Sequence, residues 1–138
     1  MAANPAWSPA MVTELTAPPH VAAFRVEGKL TEDGYDAVVA ALESRLAEHE
    51  RIAMYFDMRG MSGMTPAAFG KDVAYSVRKL GEWHRFARGA VVTDSDWLTG
   101  LVRFGSAFFP RIDMRVFPGA EHEQALAWAS RPLEPRDA

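Results

Sequence analysis

The sequence contains no cysteine among its 138 residues. Disulfide bonds, thiolate nucleophiles and thiolate metal sites are therefore excluded, and the chain is compatible with a reducing compartment. Basic residues are outnumbered as well: 15 lysines and arginines stand against 18 aspartates and glutamates, a net charge of -3. Electrostatic binding to the phosphate backbone of nucleic acid needs a dense basic surface, so nucleic-acid binding is not expected.

Long apolar runs are also missing. No stretch reaches the ~18 residues that a membrane-spanning helix needs, and the N-terminus has neither the basic start nor the apolar segment of a signal peptide. We therefore expect a soluble, cytoplasmic protein. Residues 1–10 are predicted to be a flexible tail, residues 11–130 one domain and residues 131–138 a C-terminal tail, since a chain of this size can bury one substantial core.

Motifs for catalysis and cofactor binding are absent too. The four histidines lie on different predicted elements, and none has a partner at the i, i+4 spacing of a helical metal site. The stretch RGMSG lacks the lysine and the spacing of a phosphate-binding loop, and no G-x-S-x-G elbow occurs. The sequence thus predicts no metal, no cofactor and no enzymatic activity, although a serine and a histidine brought together in space would still permit a hydrolase.

What the sequence does contain is an alternation of short apolar runs and amphipathic segments. Residues 51–57 are apolar on both alternating faces, which suits a central strand covered on each side. The predicted strands are 11–16, 20–28, 51–57, 85–93 and 111–118, and the predicted helices are 32–49, 66–81, 94–109 and 120–130. This order implies right-handed crossovers onto a largely parallel α/β sheet with one antiparallel edge strand.

Several stretches of the chain resemble the SpoIIAA-like branch of the STAS domains, which are named for sulfate transporters and anti-sigma factor antagonists. These stretches are VAAFRVEGKLTEDGYDAVVAALE, FDMRGMSGMTPAAFGKDVAYSV, RGAVVTDSDWLTGL and EQALAW. The resemblance covers about residues 11–130 and implies a SpoIIAA-like (STAS) fold, with a five-stranded mixed sheet and about four helices. It also implies a role in protein–protein regulation or ligand sensing.

Anti-sigma factor antagonists of this family carry a phosphorylatable serine at the N-terminus of the helix that follows the central strand. The matching stretch here is Thr65-Pro66-Ala67-Ala68, and the phosphorylated position corresponds to Ala67, which has no hydroxyl group. Ser62 and Thr65 are nearby hydroxyls, but Thr65 before Pro66 is typical of a helix N-cap. The resemblance therefore predicts that the familiar switch is missing.

Methionines cluster in residues 58–64, where the sequence indicates a turn from the central strand into the second helix. Flexible thioethers suit an adaptable apolar pocket, although core filling is the alternative for each of them. The third helix adds an apolar arc of about 160°, wider than the ~100° stripe that packing on one core requires. The predicted ligand-binding residues are Met58, Met61, Met64, Phe69, Trp97, Leu101, Phe104 and Phe108.

Cations are predicted beside this apolar surface, where they would contact an anionic group of a ligand or membrane. These residues are Lys71, Arg78, Lys79 and Arg103. The sequence therefore predicts a domain that binds a lipid or another apolar or amphiphilic small molecule, with residues 94–109 as a mobile lid and with peripheral membrane contact. The alternatives are a protein-interaction module of the anti-sigma factor antagonist type and a homodimer that uses the third helix as its interface.

Overall fold

Five strands form one sheet whose spatial order follows the chain order. The computed structural model describes residues 12–133, apart from the side chain of Leu80, so the predicted tail 1–10 and residues 134–138 lie outside the described residues. The strands are β1 (Val12–Glu14), β2 (Val21–Leu30), β3 (Ile52–Met64), β4 (Phe86–Val92) and β5 (Asp113–Phe117). β1 pairs antiparallel with β2 and all other neighbours pair parallel, which confirms the predicted mixed sheet.

The described residues also form four α-helices. They are α1 (Glu32–Glu48), α2 (Pro66–Arg78), α3 (Asp96–Ser106) and α4 (His122–Ser130). A 3-10 helix at Leu80–Arg85 follows α2, and a short 3-10 helix at Gly119–Glu121 precedes α4. Because the parallel strands follow one another in order, right-handed crossovers put α1, α2 and α3 on one face of the sheet. α4 packs on the other face.

Hydroxyl side chains fix the starts of the first three helices. The N-cap residues are Thr31, Thr65 and Ser95, and each side-chain oxygen accepts a hydrogen bond from the backbone N–H three residues later. Each cap satisfies one of the backbone donors that have no partner within the first turn. Asp94, next to the cap Ser95, accepts a hydrogen bond from the backbone N–H of Gly119 at 3.0 Å.

The segment 58–64 is a strand, and the sequence-based interpretation of it as a turn was wrong. β3 pairs with β2 again from Gly60 to Met64, with register shifts on either side of the pair Glu27 and Gly28, whereas its pairing with β4 ends at Asp57. A Cβ atom on Gly60 would lie 3.2 Å from the Glu27 side chain, so this glycine allows β2 and β3 to approach closely. β3 therefore extends beyond its neighbour β4, together with β2, before α2 begins.

The sheet divides the hydrophobic core into two layers. The layer under α4 contains Val21, Ala23, Ala53, Tyr55, Ala90, Val92, Ala125 and Ala129. The layer under α1 to α3 contains larger side chains, among them Phe24, Leu30, Tyr35, Leu42, Ile52, Met54 and Phe86. β3 alternates between the two layers, as the sequence predicted for a central strand covered on both faces.

Candidate ligand-binding site

A cavity of about 310 Å³, partly open to solvent, lies between the sheet and the helices α1, α2 and α3. This volume is at the lower end of the ~300–1,000 Å³ that small-molecule sites occupy. Its lining is mainly apolar and includes Val26, Met54, Phe56, Met58, Leu98 and Phe109. The cavity interrupts the core layer on the side of the sheet that faces the three helices.

α2 is rotated so that a polar side faces the cavity. The residues on that side are Asp72, Tyr75, Ser76 and Lys79, at the i, i+3, i+4, i+7 spacing of one helix face. The residues on the outer side are Phe69, Val73 and Val77, which are 46%, 49% and 58% exposed. An amphipathic helix ordinarily buries its apolar stripe. α2 therefore has the reverse of the usual arrangement.

Asp72 and Tyr35 form one hydrogen-bonded pair in the cavity wall. The Tyr35 hydroxyl donates to Oδ1 of Asp72 at 2.8 Å. Burial raises the pKa of Asp72, and the hydrogen bond from Tyr35 opposes that rise. Burial and the neighbouring Asp72 carboxylate raise the pKa of Tyr35, which keeps the phenol protonated as a donor. Within residues 12–133, Oδ2 of Asp72 has no hydrogen-bond or ion-pair partner.

A second network joins Tyr75 and Lys79 to Glu43 of α1. The Tyr75 hydroxyl donates to Oε2 of Glu43 at 2.7 Å, and Nζ of Lys79 lies 2.8 Å from the same oxygen. Burial acts to raise the pKa of Glu43, but the hydrogen bonds from Lys79 and Tyr75 outweigh it and lower that pKa. Lys79 also lies 3.5 Å from Glu82. Its positive charge is therefore already compensated by two carboxylates.

A second and more open cleft, of about 500 Å³, lies between the start of α2 and α3. Its lining residues are Met64, Thr65, Pro66, Phe69, Trp97 and Leu101. Met64 and Leu101 also line the cavity, so the two spaces share a wall. Met64 and Leu101 therefore lie between the cavity and the cleft.

The structure brings five of the eight predicted ligand-binding residues to these two spaces. They are Met58, Met64, Phe69, Trp97 and Leu101. Met61 packs on the core layer under α1 to α3 and belongs to neither lining. Phe104 and Phe108 lie on the outer surface, 67% and 60% exposed, with their ring centroids 5.3 Å apart.

The four cations predicted to contact an anionic group have different surroundings. Lys71 and Lys79 are in ion pairs with carboxylates, at 3.1 Å and 2.8 Å. The guanidinium group of Arg78 lies over the ring of Tyr75, 5.3 Å from its centroid. Arg103 is exposed on α3. Of these four, Lys79 lines the cavity, and its charge is paired.

The sequence-based interpretation missed the polar wall of the cavity. Asp72, Ser76 and Tyr35 are not among the predicted ligand-binding residues, although all three line the cavity. A signal was present, because Asp72, Tyr75, Ser76 and Lys79 share one helix face. That spacing is normally interpreted as a solvent-facing side, and only the packing of α2 reveals that it faces inward.

A third polar cluster connects β3 to α4 on the opposite face. Nε and Nη2 of Arg59 donate to Asp57 at 2.9 Å and 2.7 Å, and Nη1 of Arg59 lies 3.4 Å from Nδ1 of His122. These bonds lower the pKa of the buried Asp57, against the opposing effect of burial. This cluster therefore links β3 to α4 and has a structural role.

Residues 12–133 provide neither a cluster of metal ligands nor a membrane span. In that range no group of three or more histidine, aspartate or glutamate side chains is placed to hold a metal ion. The same residues contain no helix with the length and apolar character needed to cross a bilayer.

The described residues define a class of fold, an α/β arrangement with a five-stranded mixed sheet, three helices over the cavity and a fourth helix on the opposite face. The family model described as SpoIIAA-like matches residues 21–130, and the chain belongs to the SpoIIAA-like family. The resemblance predicted from the sequence is thereby confirmed. Comparison with curated proteins found no match.

Solved structures share the fold, among them two whose likeness extends over most of this chain. An uncharacterized protein of the DUF3478 family with a SpoIIAA-like fold, from Shewanella loihica PV-4, has a TM-score of 0.66 and 23% identity, over 86% of this chain and 91% of that chain. The anti-sigma factor antagonist SpoIIAA in its unphosphorylated form has a TM-score of 0.54 and 13% identity, over 75% of this chain and 86% of that chain. At these identities the likeness concerns the fold alone.

Proposed function

We propose that the protein is a non-enzymatic domain that binds an apolar or amphiphilic small molecule, such as a lipid, between the sheet and α1 to α3. The observation that carries the proposal is the largely apolar cavity of about 310 Å³. Protein interiors normally contain few voids larger than one water molecule, whose share of liquid volume is ~30 Å³. An empty apolar cavity lowers stability, whereas a bound ligand stabilises the folded state.

The exposed apolar side chains near the cavity support a peripheral contact with a membrane. Among the described residues, the large exposed apolar side chains are Phe69, Val73, Val77, Trp97, Phe104 and Phe108. All of them lie on α2, on α3 or within two residues of the end of α3. Arg78 and Arg103 are exposed on the same two helices. Binding to a membrane surface scales with buried apolar area plus attraction to anionic lipids.

Native mass spectrometry of the freshly purified protein tests the binding proposal. We expect an added mass in the range of an amphiphile, lost when the same sample is measured after denaturation. Sedimentation with anionic liposomes, and its absence with neutral ones, tests the membrane contact. A protein that is empty and takes up no added amphiphile would contradict the binding proposal. Turnover in a general esterase or phosphatase screen, abolished by Ser62→Ala, His84→Ala or Asp94→Ala, would contradict its non-enzymatic part.

The second candidate function is a protein-interaction module of the anti-sigma factor antagonist type. It is supported by the fold likeness to SpoIIAA and by the exposed apolar surface of α2 and α3, since large exposed apolar patches often mark protein contacts. The same surface also suits a homodimer. Co-purification with an anti-sigma kinase would favour docking. Multi-angle light scattering distinguishes monomer from dimer.

A further inference from the structure

The cavity has a polar pole at Asp72 and Tyr35. Tyr35 satisfies one oxygen of the Asp72 carboxyl group, and among the described residues the other oxygen has no partner. Apart from Ser76, the other polar side chains named for this wall have partners: Tyr75 and Lys79 contact Glu43, and the indole N–H of Trp83 donates to a backbone oxygen at 3.2 Å. The charged group that is available is therefore a carboxyl oxygen, which accepts hydrogen bonds.

The charges around this pole disfavour an anionic ligand. Of the described residues that line the cavity, Asp72 and Lys79 carry charge, and the ammonium group of Lys79 is paired with Glu43 and Glu82. A carboxylate or phosphate inside the cavity would thus meet Asp72 without a cation to compensate it. The hydroxyl of Ser76 lies one helical turn from Asp72. Because a hydroxyl can donate or accept a hydrogen bond, it does not discriminate between a donating headgroup and an anionic one.

Resting on the proposed function, we propose that the cavity selects amphiphiles whose headgroup donates a hydrogen bond and carries no negative charge, with Asp72 as the headgroup contact. A long-chain alcohol and a long-chain amine share this chemistry. In either case the headgroup donates to Oδ2 of Asp72 while Tyr35 holds Oδ1. The alkyl chain then lies against the apolar side chains over the sheet, such as Met54 and Phe56.

Isothermal titration calorimetry with octanol, octylamine and octanoate at pH 8 tests this proposal on the full chain, after removal of co-purified amphiphile. We expect octanol and octylamine to bind at least about tenfold more tightly than octanoate, because a hydrogen bond to a charged group corresponds to about this ratio. The ratio between octanol and octylamine then indicates which of the two headgroups is preferred.

Asp72→Asn changes the chemistry of the pole at nearly constant size. The amide oxygen still accepts from Tyr35, while its nitrogen donates to an anionic headgroup. We therefore expect the preference over octanoate to shrink to about threefold or less or to reverse, a shift that corresponds to loss of one hydrogen bond. Asp113→Asn is the matched control, because Asp113 is exposed on β5 and outside the cavity lining, and it should keep the wild-type preference.

The outcomes separate this inference from the proposed function. If octanoate binds the wild-type protein as tightly as octanol, the inference fails while the binding function stands. If Asp72→Asn keeps the wild-type ratio, Asp72 is not the headgroup contact. If none of the three probes binds, the proposed function itself fails. The wild-type measurement decides the selectivity even if the variant does not fold.

Discussion

The two faces of the sheet are packed in opposite ways. Under α4 the layer consists largely of alanine and valine, and both Ala125 and Ala129 are fully buried. Under α1 to α3 the side chains are larger, yet a cavity of about 310 Å³ remains. Small side chains on the helix and the sheet let α4 approach closely, whereas the polar inner side of α2 does not pack directly on the apolar sheet.

This difference suggests that the two faces of the sheet have different roles, one in stability and the other in binding. The closely packed α4 face contributes stability, since well-filled interiors leave little room for rearrangement. The opposite face has unfilled volume and exposed apolar side chains, features of the less stable regions from which binding segments are drawn. Substitutions on the α4 face should therefore change stability alone, and those around the cavity should also change binding.

The largest effect is expected from a charge placed under α4. Ala125→Asp buries a carboxylate among apolar side chains, so we expect the free energy of unfolding to fall by ~3–5 kcal/mol. Ala127→Asp is the matched control, because Ala127 is exposed on the same helix, and it should change stability by less than ~0.5 kcal/mol. Urea unfolding followed by circular dichroism measures both. Equal stability of the two variants would mean that the α4 face is not closely packed.

A smaller loss of stability is expected when the polar cluster that links β3 to α4 is altered. Asp57→Asn removes the charge that binds Arg59, so we expect the free energy of unfolding at pH 7 to fall by about 1.5–3 kcal/mol. Asp113→Asn removes an exposed carboxylate paired with Arg115 at 3.2 Å, and it should change stability by at most ~1 kcal/mol. Urea unfolding again compares the two variants.

The pH dependence of Asp57 sharpens the same prediction. Its pKa in the folded state lies below the ordinary value, so its stabilising effect is complete above the unfolded pKa of ~3.9. That effect is lost as the pH falls from there through the lowered folded pKa. We therefore expect the stability gap between wild type and Asp57→Asn to close below about pH 4. A gap that stays constant through this range would contradict the assigned pKa direction.

A substitution that fills the cavity should raise stability, in contrast to the two losses of stability expected on the α4 face. Ser76→Phe places an aromatic ring in the cavity, so we expect the free energy of unfolding to rise by ~0.5–2 kcal/mol. Octanol binding should weaken at least about tenfold, because the ring occupies the same space. Calorimetry and urea unfolding measure the two effects, and Ser44→Phe on the exposed side of α1 is the control. Reduced stability with unchanged binding would show that the cavity is not the site.

The outer surface of α3 should affect binding with almost no effect on stability. Phe104→Asp and Phe108→Asp alter exposed rings, so we expect stability to change by less than ~0.5 kcal/mol while sedimentation with anionic liposomes or ligand binding weakens. Glu123→Asp, an exposed change on α4, is the control. Suppose that wild type neither retains a lipid nor sediments, and that these variants split a dimer into monomers. The helix would then be an interface, and the predicted lid at residues 94–109 would be wrong.

The smallest expected effect concerns phosphorylation, where we expect no modification. Incubation with a serine/threonine kinase of the anti-sigma type should leave residues 60–70 unmodified, since Ala67 has no hydroxyl and Thr65 caps α2 by accepting from Ala68 at 3.0 Å. Intact-mass measurement and peptide mapping check this result. Stoichiometric phosphate on Ser62 or Thr65 would connect the cavity face to a phosphorylation switch and overturn the prediction.

The sheet and the helix order were predictable because their signals are local and periodic. Residues 51–57 alternate between two apolar faces, and the structure assigns Met54 and Tyr55 to opposite core layers. Thr65 before Pro66 identified the start of α2 for the same reason. The extension of β3 was missed because Gly60 and Gly63 weaken the strand signal and favour a turn interpretation.

The candidate site was less predictable because it depends on the rotation of α2. The stripe of Phe69, Val73 and Val77 was visible in the sequence, but periodicity does not state which side of a helix meets the core. The approach of Asp72 to Tyr35 joins residues 37 positions apart, a contact that no local pattern encodes. The general region of the site was therefore predictable, and its polar wall was not.

The strict agreement between strand order and chain order has a consequence for how the molecule assembles. No strand has to insert between two strands that are already paired, because each new βα unit adds to the growing edge of the sheet. Each parallel pairing spans only the one helix between its two strands, as in Ala23 with Tyr55 and Tyr55 with Ala90, so forming it orders a single βα unit. During synthesis the cavity side can form progressively, and its closure does not wait for α4, the last helix of the fold, to leave the ribosome.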